Sequence, residues 1–213
     1  MKKVQLNKTG TAWLVISFDD YAKDNVAVAA RMQRMGWPVN FYIEVGTSEA
    51  RRQIAELHKL GAEIGSHTVT HPPDIKRLDA AQLESEIKNS KLIIEDITGV
   101  ECEDFAYPRG RFNDAVVECV KDAGYKTART THVLHTDPGD PFRMETTIHM
   151  FDGRKEYKGR PWDIMAQFYL DDVIRKGGTF NIWGHLKEMS HNNGWHRFWK
   201  FMDALKSKNP LSE

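Results

Sequence analysis

Cysteine is scarce in this sequence, and its scarcity excludes two kinds of protein. The 213 residues contain only Cys102 and Cys119, whose spacing fits no zinc-binding cysteine motif. Two cysteines placed in this way predict neither the disulfide framework of a small secreted domain nor a thiolate metal site.

An excess of one charge and long hydrophobic runs are also lacking. Thirty basic side chains balance thirty acidic ones, and no basic tail or block occurs, so nucleic acid is not expected as a partner. No apolar stretch approaches the length of a membrane span, and residues 1–10 lack the apolar segment of a signal peptide. We expect a cytoplasmic protein or the mature form of an exported one, and the sequence does not separate these two cases.

What the sequence does contain is a repeated alternation of apolar strands with amphipathic helices. No linker rich in Pro, Gly or Ser interrupts it, so we predict a single domain over residues 1–213. This alternation is typical of a mostly parallel sheet with helical crossovers. The predicted α/β fold is a distorted parallel β/α barrel with its function at the strand carboxyl ends, and an open doubly wound sheet is the alternative. The predicted strands cover 12–16, 39–45, 63–66, 104–107, 125–130, 142–150 and 179–183, and the predicted helices cover 25–35, 49–60, 79–97, 113–123, 162–176 and 195–207.

Two adjacent carboxylates, Asp19 and Asp20, follow the first apolar strand. Neighbouring side chains of an extended segment point to opposite sides, so the two acids are suited to different tasks, such as holding a metal and moving a proton. The alternative is that they only open a turn and cap the next helix, since Asp is favoured in both places. No glycine-rich phosphate loop occurs here, which argues against nucleotide binding.

A histidine pair follows the third predicted strand. His67 and His71 are four residues apart, a spacing that places two imidazoles on one side of a turn, although a simple polar turn has the same pattern. Combined with an Asp from another strand end, they form the set of two nitrogens and one carboxylate that zinc and other borderline divalent ions favour. Such a set leaves positions open for water and substrate.

The remaining strand ends provide further polar and aromatic side chains. The strand at 104–107 leads into Tyr107, Pro108 and Arg109, and the strand at 125–130 ends near Arg129. The last strand ends near His185, whose unperturbed pKa near neutrality suits a general acid, although a core histidine is the alternative.

Four short motifs, in this order, resemble those of the polysaccharide deacetylase family, the NodB-homology carbohydrate esterases. The segment 39–46 also looks like that family's second strand, and the resemblance extends from about residue 12 to residue 205. The motifs are Ser17–Asp20, His67–His71, Phe105–Gly110 and Ile182–His185.

The resemblance implies a distorted barrel that holds a divalent metal, usually zinc. It implies that Asp20, His67 and His71 bind the metal, that Asp19 is the general base and that His185 is the general acid. Water activated by the metal would attack an acetyl carbonyl while Asp19 takes a proton and His185 protonates the leaving amine.

The same resemblance implies a substrate wall made by Tyr107, Pro108 and Arg109. The backbone N–H of Arg109 is expected to face the oxyanion of the reaction, which would stabilise the transition state electrostatically. Trp183 is placed to stack on a sugar ring, as aromatic side chains often do.

The predicted function is therefore metal-dependent removal of acetyl groups, most simply N-acetyl groups, from a carbohydrate or polysaccharide. An acetylated carbohydrate is the expected substrate, and Zn²⁺ is the expected metal. Two alternatives remain open: a metal-dependent amidohydrolase that cleaves a non-carbohydrate amide, and a carbohydrate-binding domain without catalysis. The sequence predicts no oligomeric state.

The sequence departs from the family pattern at several positions. Tyr21 replaces a usual Gly, and Ala106 stands where an Arg often steadies the base. We expect Arg129 to supply the missing cation. The family's Asp that orients the acid has no convincing match, although Asp137 and Asp140 lie in the right region.

Several other polar residues are given ordinary interpretations at this stage. His132, His135 and His149 are irregularly spaced and are expected to be solvated loop histidines rather than a second metal site. Residues 187–192, which include Glu188, are expected to form a polar loop that contacts substrate or solvent.

Overall fold

The computed structural model describes residues 1–208, so positions 209–213 of the predicted domain lie outside the described residues. The strands are β1 Val4–Gln5, β2 Ala12–Asp19, β3 Asn40–Ile43, β4 Glu63–Ser66, β5 Asp104–Ala106, β6 Thr127–Arg129, β7 Ile148–His149 and β8 Gly178–His185. The α-helices are α1 Asn25–Met35, α2 Ser48–Lys59, α3 Ala80–Thr98, α4 Asp114–Asp122, α5 Trp162–Lys176 and α6 Gly194–Lys208.

The strands form one curled sheet in the order β6-β5-β4-β3-β2-β8-β7. All neighbours along this path run parallel, and β1 adds to β2 in the antiparallel sense. From β2 to β6 the strands lie in chain order, without the reversal that defines a doubly wound sheet. The prediction of a distorted parallel β/α barrel is therefore confirmed, and the doubly wound alternative is wrong.

The distortion of the barrel is concentrated between residues 142 and 150, where the sequence predicts one continuous strand. Met144 forms an isolated parallel bridge with Arg129 of β6, whereas Ile148 and His149 pair with β8. The segment therefore changes its partner within a few residues and connects the two edges of the sheet. Only Ile148–His149 is a strand, because between the two pairings Thr146 donates its N–H to the carbonyl of His132.

The helix boundaries follow from local side-chain chemistry. Asp79 and Gln82 form a capping box at the start of α3, and Asn113 accepts a hydrogen bond from the N–H of Val116 at the start of α4. Helix α2 is capped by Thr47, whose side chain accepts from the N–H of Ala50, so the helix begins one residue before the predicted range 49–60.

The core lies between the sheet and the helices that cover it. Strands β2, β3 and β8 are buried along nearly their whole length, as expected for parallel strands packed on both faces. Within residues 1–208, no helix is both long and apolar enough to cross a membrane. The buried strands leave their carboxyl ends at one edge of the barrel, and that edge carries the polar side chains described next.

Candidate active site

A pocket of about 320 Å³ opens at the carboxyl ends of the strands. The predicted site residues line this pocket except Arg129, which contacts the lining residue Asp19, and Pro108. Pro108 is buried between Tyr107 and Arg109, which both line the pocket, so its predicted place in the substrate wall stays a prediction. The lining residues are Asp19, Asp20, His67, His71, Tyr107, Arg109, Thr131, Arg154, Trp183, His185, Lys187 and Glu188.

One group of side chains in the pocket, Asp20 with His67 and His71, has the geometry of a metal site. Oδ1 of Asp20 lies 3.7 Å from Nε2 of His67 and 3.7 Å from Nε2 of His71. One ligand atom from each of the three residues lies within 4.8 Å of the others. Ligands of a tetrahedral zinc ion with bonds of about 2.0–2.1 Å are about 3.3 Å apart, so these residues fit a divalent metal after a small adjustment.

His67 is held in the form that binds a metal. Its Nδ1 lies 2.8 Å from the carbonyl oxygen of Ala106, which requires the proton on Nδ1 and leaves the Nε2 lone pair free. Burial lowers the pKa of His67 to about 4, and the charge of Asp19 opposes this effect only in part. The imidazole is therefore neutral at physiological pH, which is the form that a metal requires.

The backbone around this group adopts conformations that L-residues rarely use. Asp20, Thr68 and His71 have φ values of 69°, 70° and 54°. Non-glycine residues in the left-handed region are strained and occur often at functional sites, where the surrounding structure fixes them. Here Glu86 of α3 provides part of that support, because its carboxylate accepts the N–H groups of residues 69 and 70 at 2.9 Å.

Asp19 is paired with Arg129, as the sequence predicts. Nη2 of Arg129 lies 2.5 Å from each carboxylate oxygen of Asp19, and both side chains are almost fully buried. Arg129 is the register partner of Ala106 on the neighbouring strand. The guanidinium therefore comes from the residue directly across from the position where the family pattern often has an Arg.

His185 lies beside Asp19, because the two residues are register partners at the ends of β8 and β2. Its Nδ1 is 2.7 Å from Oε2 of Glu188, and its Nε2 points into the pocket, 4.0 Å from Oδ2 of Asp20. Burial alone would lower the pKa of His185, but the hydrogen bond to Glu188 and the charge of Asp19 raise it above its usual value. This shift favours the protonated, proton-donating form of His185.

Glu188 is the carboxylate that contacts the His185 ring, and the sequence analysis missed this contact. The only available signal was its position three residues after His185, which we interpreted as part of a polar loop. The candidates Asp137 and Asp140 are turn residues instead, since Asp137 accepts from the N–H of Gly139 and Asp140 accepts from that of Phe142.

A second histidine, His149, also contacts Glu188. Its Nε2 lies 2.9 Å from the same Oε2 atom, and its side chain is buried, so the expectation of a solvated loop histidine is wrong. His132 and His135 are exposed and face Glu145 instead. The group of His149, Glu188 and His185 is joined by contacts of 2.7 and 2.9 Å, which are hydrogen-bond distances and too short for two ligands of one zinc ion.

Trp183 is buried and does not serve as a platform for a sugar ring. It is 2% exposed, the imidazole of His149 stacks on it at 3.9 Å between ring centres, and the Arg129 guanidinium lies over the ring at 4.6 Å. The predicted stacking of Trp183 on substrate is therefore wrong. The indole instead fills the space between two residues of the site.

The turn at Tyr107–Gly110 forms one wall of the pocket. The Tyr107 hydroxyl donates to the carbonyl of Phe142, and Arg109 has a left-handed backbone with φ of 56°. Arg109 is the second residue of a short 3₁₀ helix, where N–H groups have no partner inside the helix. Gly110 is required here, because a Cβ at this residue would lie 2.1 Å from Oγ1 of Thr131.

One exposed cation reaches into the pocket. Nζ of Lys187 lies 2.9 Å from Oδ2 of Asp20, although the lysine side chain is 72% exposed. Burial of Asp20 would raise its pKa, but His67, His185 and Lys187 outweigh this effect and lower it. Asp20 is therefore held as a carboxylate, with the Lys187 ammonium as a hydrogen-bonded cation beside it.

Comparisons with known proteins agree with this fold. A gellan lyase from a Bacillus species is 32% identical over 104 residues, which are 49% of this chain and 4% of that protein. YxkH of Bacillus subtilis strain 168 carries a name that describes it as a polysaccharide deacetylase. It is 26% identical over 134 residues, which are 60% of this chain and 47% of YxkH. The chain thus spans less than half of either relative.

Solved structures share the same architecture. A family 4 carbohydrate esterase from Streptomyces lividans, in complex with acetate, has a TM-score of 0.64 at 17% identity, with 93% of this chain and 90% of that chain covered. A pseudoenzyme of the same family from Bacillus anthracis has a TM-score of 0.62 at 18% identity, covering 92% and 60%. The Streptococcus pyogenes deacetylase PplD, in complex with acetate, has a TM-score of 0.52 at 25% identity, covering 55% of each chain.

The family model described as polysaccharide deacetylase matches residues 7–128, more than half of the sequence. The matched part contains Asp19, the metal-type group (Asp20, His67 and His71) and the turn at Tyr107–Gly110. The match ends before Arg129 and before His149, His185 and Glu188. The chain belongs to the polysaccharide deacetylase family.

Proposed function

We propose that this protein is a metal-dependent hydrolase that removes acetyl groups, N-acetyl groups in the first instance, from a carbohydrate. The observation that carries the proposal is the placement of Asp19 and His185. They are register partners on adjacent strands, and both face the space beside Asp20, His67 and His71. A base and an acid are thus available next to a site that can hold a metal.

The metal site would be made by Asp20, His67 and His71, and zinc suits this set of two nitrogens and one carboxylate. When bound, such an ion would polarise the acetyl carbonyl and lower the pKa of water. The proton transfers and the stabilisation of the oxyanion would be carried out by residues of the protein.

Asp19 would act as the general base and accept a proton from the attacking water. Arg129 fixes both oxygens of this carboxylate and balances its buried charge, because an unpaired buried carboxylate is costly. The N–H of Arg109 would donate a hydrogen bond to the oxyanion that develops at the former carbonyl oxygen.

His185 would act as the general acid from its Nε2. An amine leaves poorly unless its nitrogen is protonated, so the donor must be charged and must point at the scissile bond. Glu188 meets both needs, because its hydrogen bond to Nδ1 orients the ring and raises the pKa of His185.

Acetate release from a panel of acetylated glycans tests the proposal. The panel contains chitin oligomers, peptidoglycan fragments and acetylated xylan. The expected result is acetate release by the zinc-loaded protein, loss of activity with a chelator, and recovery on adding zinc. A protein that binds zinc but releases no acetate from any of these glycans favours cleavage of another amide, and a protein that binds the glycans without cleaving them favours a binding domain.

Two substitutions test how Asp19 and Asp20 divide the work. We expect Asp20→Asn to weaken zinc binding, because it removes a charged ligand. We expect Asp19→Asn to keep zinc and to lower turnover by about 10³-fold, as for loss of a general base. Zinc content and acetate release are measured on the same samples, and an equal loss of zinc in both variants contradicts this division.

A further inference from the structure

We propose that His149 is a positioning residue for this reaction: it fixes Glu188, which in turn holds His185 toward the leaving group. The inference rests on the proposed function and extends it to a residue outside the pocket lining. His149 lies on the short strand β7, beyond the part of the chain matched by the family model.

A single oxygen atom connects the three residues. Oε2 of Glu188 accepts from Nε2 of His149 at 2.9 Å, from Nδ1 of His185 at 2.7 Å and from the backbone N–H of His185 at 3.2 Å. Two of these donors belong to the acid and its backbone. The third, from His149, is the side-chain contact that ties Glu188 to the core of the barrel.

The ring of His149 is fixed on several sides. Its side chain is 7% exposed, and it stacks on Trp183 at 3.9 Å with an angle of 4° between the ring planes. The Tyr157 hydroxyl accepts from the backbone N–H of His149 at 2.7 Å and donates to its carbonyl at 2.9 Å. Trp183 is held in turn by its indole N–H, which donates to Oγ1 of Thr146. His149 is therefore a rigid donor.

The protonation state of His149 also suits this role. Its Nε2 faces a carboxylate and must carry the proton, whereas Nδ1 is buried and has no hydrogen-bond partner among the described residues. The ring is thus neutral, in agreement with the burial that lowers its pKa. A neutral donor leaves the negative charge of Glu188 available to His185, whereas an imidazolium at His149 would compete for it.

Glu188 needs such an anchor because of its position in the chain. It begins a three-residue 3₁₀ helix in the loop after β8 and follows the exposed Lys187. A Glu side chain in a loop has several rotatable bonds, and ordering it costs conformational entropy. A fixed donor at His149 removes much of this freedom before the substrate binds, which is how catalytic groups are kept in a productive geometry.

Two substitutions separate the hydrogen bond from the packing. His149→Phe keeps a flat ring against Trp183 but removes the donor, whereas His149→Gln keeps an N–H group near the position of Nε2. Each variant is assayed with zinc bound on two substrates: an N-acetylated chitin oligomer, whose amine must be protonated to leave, and 4-nitrophenyl acetate, whose phenolate leaves without a proton. His135→Phe, at an exposed histidine that pairs with Glu145, is the matched control.

We expect His149→Phe to lower kcat for the chitin oligomer by about 10- to 100-fold with little change in KM, and to lower the rate on 4-nitrophenyl acetate less than threefold. His149→Gln is expected to recover most of the lost kcat, and His135→Phe to match the unchanged protein. Thermal unfolding of each variant checks that it is folded.

Three results overturn the proposal. Equal losses on both substrates assign His149 to structure alone, and an unchanged kcat in His149→Phe removes it from the reaction. If His149→Phe does not fold, a His149→Gln variant that folds but loses the amide reaction as severely as a Glu188 substitution contradicts the role of the donor. Absence of acetate release by the unchanged protein would instead refute the proposed function itself.

Discussion

Two groups of histidine and carboxylate lie at the same end of the barrel, and they differ in how far apart their members are. In the metal-type group, the nitrogens of His67 and His71 are 3.7 Å from the oxygen of Asp20. The second group, here called the acid-side group, consists of His149, His185 and Glu188. Its two nitrogens, from His149 and His185, lie 2.9 and 2.7 Å from Oε2 of Glu188. The 3.7 Å spacing leaves room for a metal ion between the nitrogens and the oxygen. At 2.7–2.9 Å the nitrogens already share hydrogen bonds with the Glu188 oxygen.

The second difference is the group that anchors each imidazole. Nδ1 of His67 faces a backbone carbonyl, which orients the ring without stabilising a positive charge strongly, and burial lowers its pKa to about 4. Nδ1 of His185 faces the carboxylate of Glu188, and the pKa is raised. Burial thus favours the neutral, lone-pair form of His67, whereas the carboxylate partner favours the protonated form of His185.

The sharpest way to break this comparison is to remove the charge of Glu188. We expect Glu188→Gln to lower acetate release from an N-acetylated glycan by about 10³-fold, because His185 loses the carboxylate that keeps it protonated. Zinc affinity is expected to change less than threefold. Both quantities are measured beside Asp20→Asn, for which zinc affinity is expected to fall, and a similar fall in both variants would mean that the two groups are not separate.

A pH series on the metal-free protein sharpens the assignment of His67. Its pKa is about 4 in the folded protein and 6.5 as the ordinary value, so between these limits the unfolded chain binds a proton that the folded chain does not. Stability is therefore expected to fall as the pH decreases from 6.5 to about 4, by about 3 kcal/mol from this residue.

The control for this series is a pair of glutamine variants. His67→Gln is expected to show a smaller loss of stability over the same pH range in urea unfolding, whereas His196→Gln, at an exposed histidine of α6, should follow the unchanged protein. Identical pH profiles of all three proteins contradict the neutral state of His67.

The smallest expected effect comes from the exposed lysine that touches the metal-type group. Lys187 competes for an oxygen of Asp20, but an ion pair with one partner so exposed is worth less than about 1 kcal/mol. Lys187→Met is expected to tighten zinc binding by less than about fivefold, measured by competition with a chelating dye. Lys176→Met, which removes a distant surface pair with Asp172, provides the baseline, and weaker zinc binding in Lys187→Met would contradict the competition.

The sequence predicts the strand ends of this site well, for a physical reason. Asp19, Asp20 and His67 immediately follow or end buried apolar strands, and parallel strands bring their carboxyl ends to one edge. The pairing of Arg129 with Asp19 was predicted on the same basis, and the structure has it. The catalytic roles of these residues stay predictions until the substitutions are made.

The acid-side group was not predictable in the same way. His149 and Glu188 are 39 residues apart, and their contact depends on the irregular segment that bridges β6 and β8. The sequence predicts one continuous strand at 142–150, and nothing in its pattern shows that the segment changes partner from β6 to β8. The predicted exposure of Trp183 was wrong for a related reason. The ring of His149 covers one face of the indole, and the sequence does not show that His149 is buried there.

The pairing of Ala106 with Arg129 affects how sites of this kind can be recognised from short sequence motifs. Two residues in register on neighbouring parallel strands deliver their side chains to the same place, so a guanidinium needed at Asp19 has two possible origins in the chain. His67 needs only the carbonyl of residue 106, which every amino acid provides. Residue 106 can therefore be alanine, because the guanidinium beside Asp19 comes from Arg129 on the neighbouring strand, and a search for Arg at residue 106 alone would miss it.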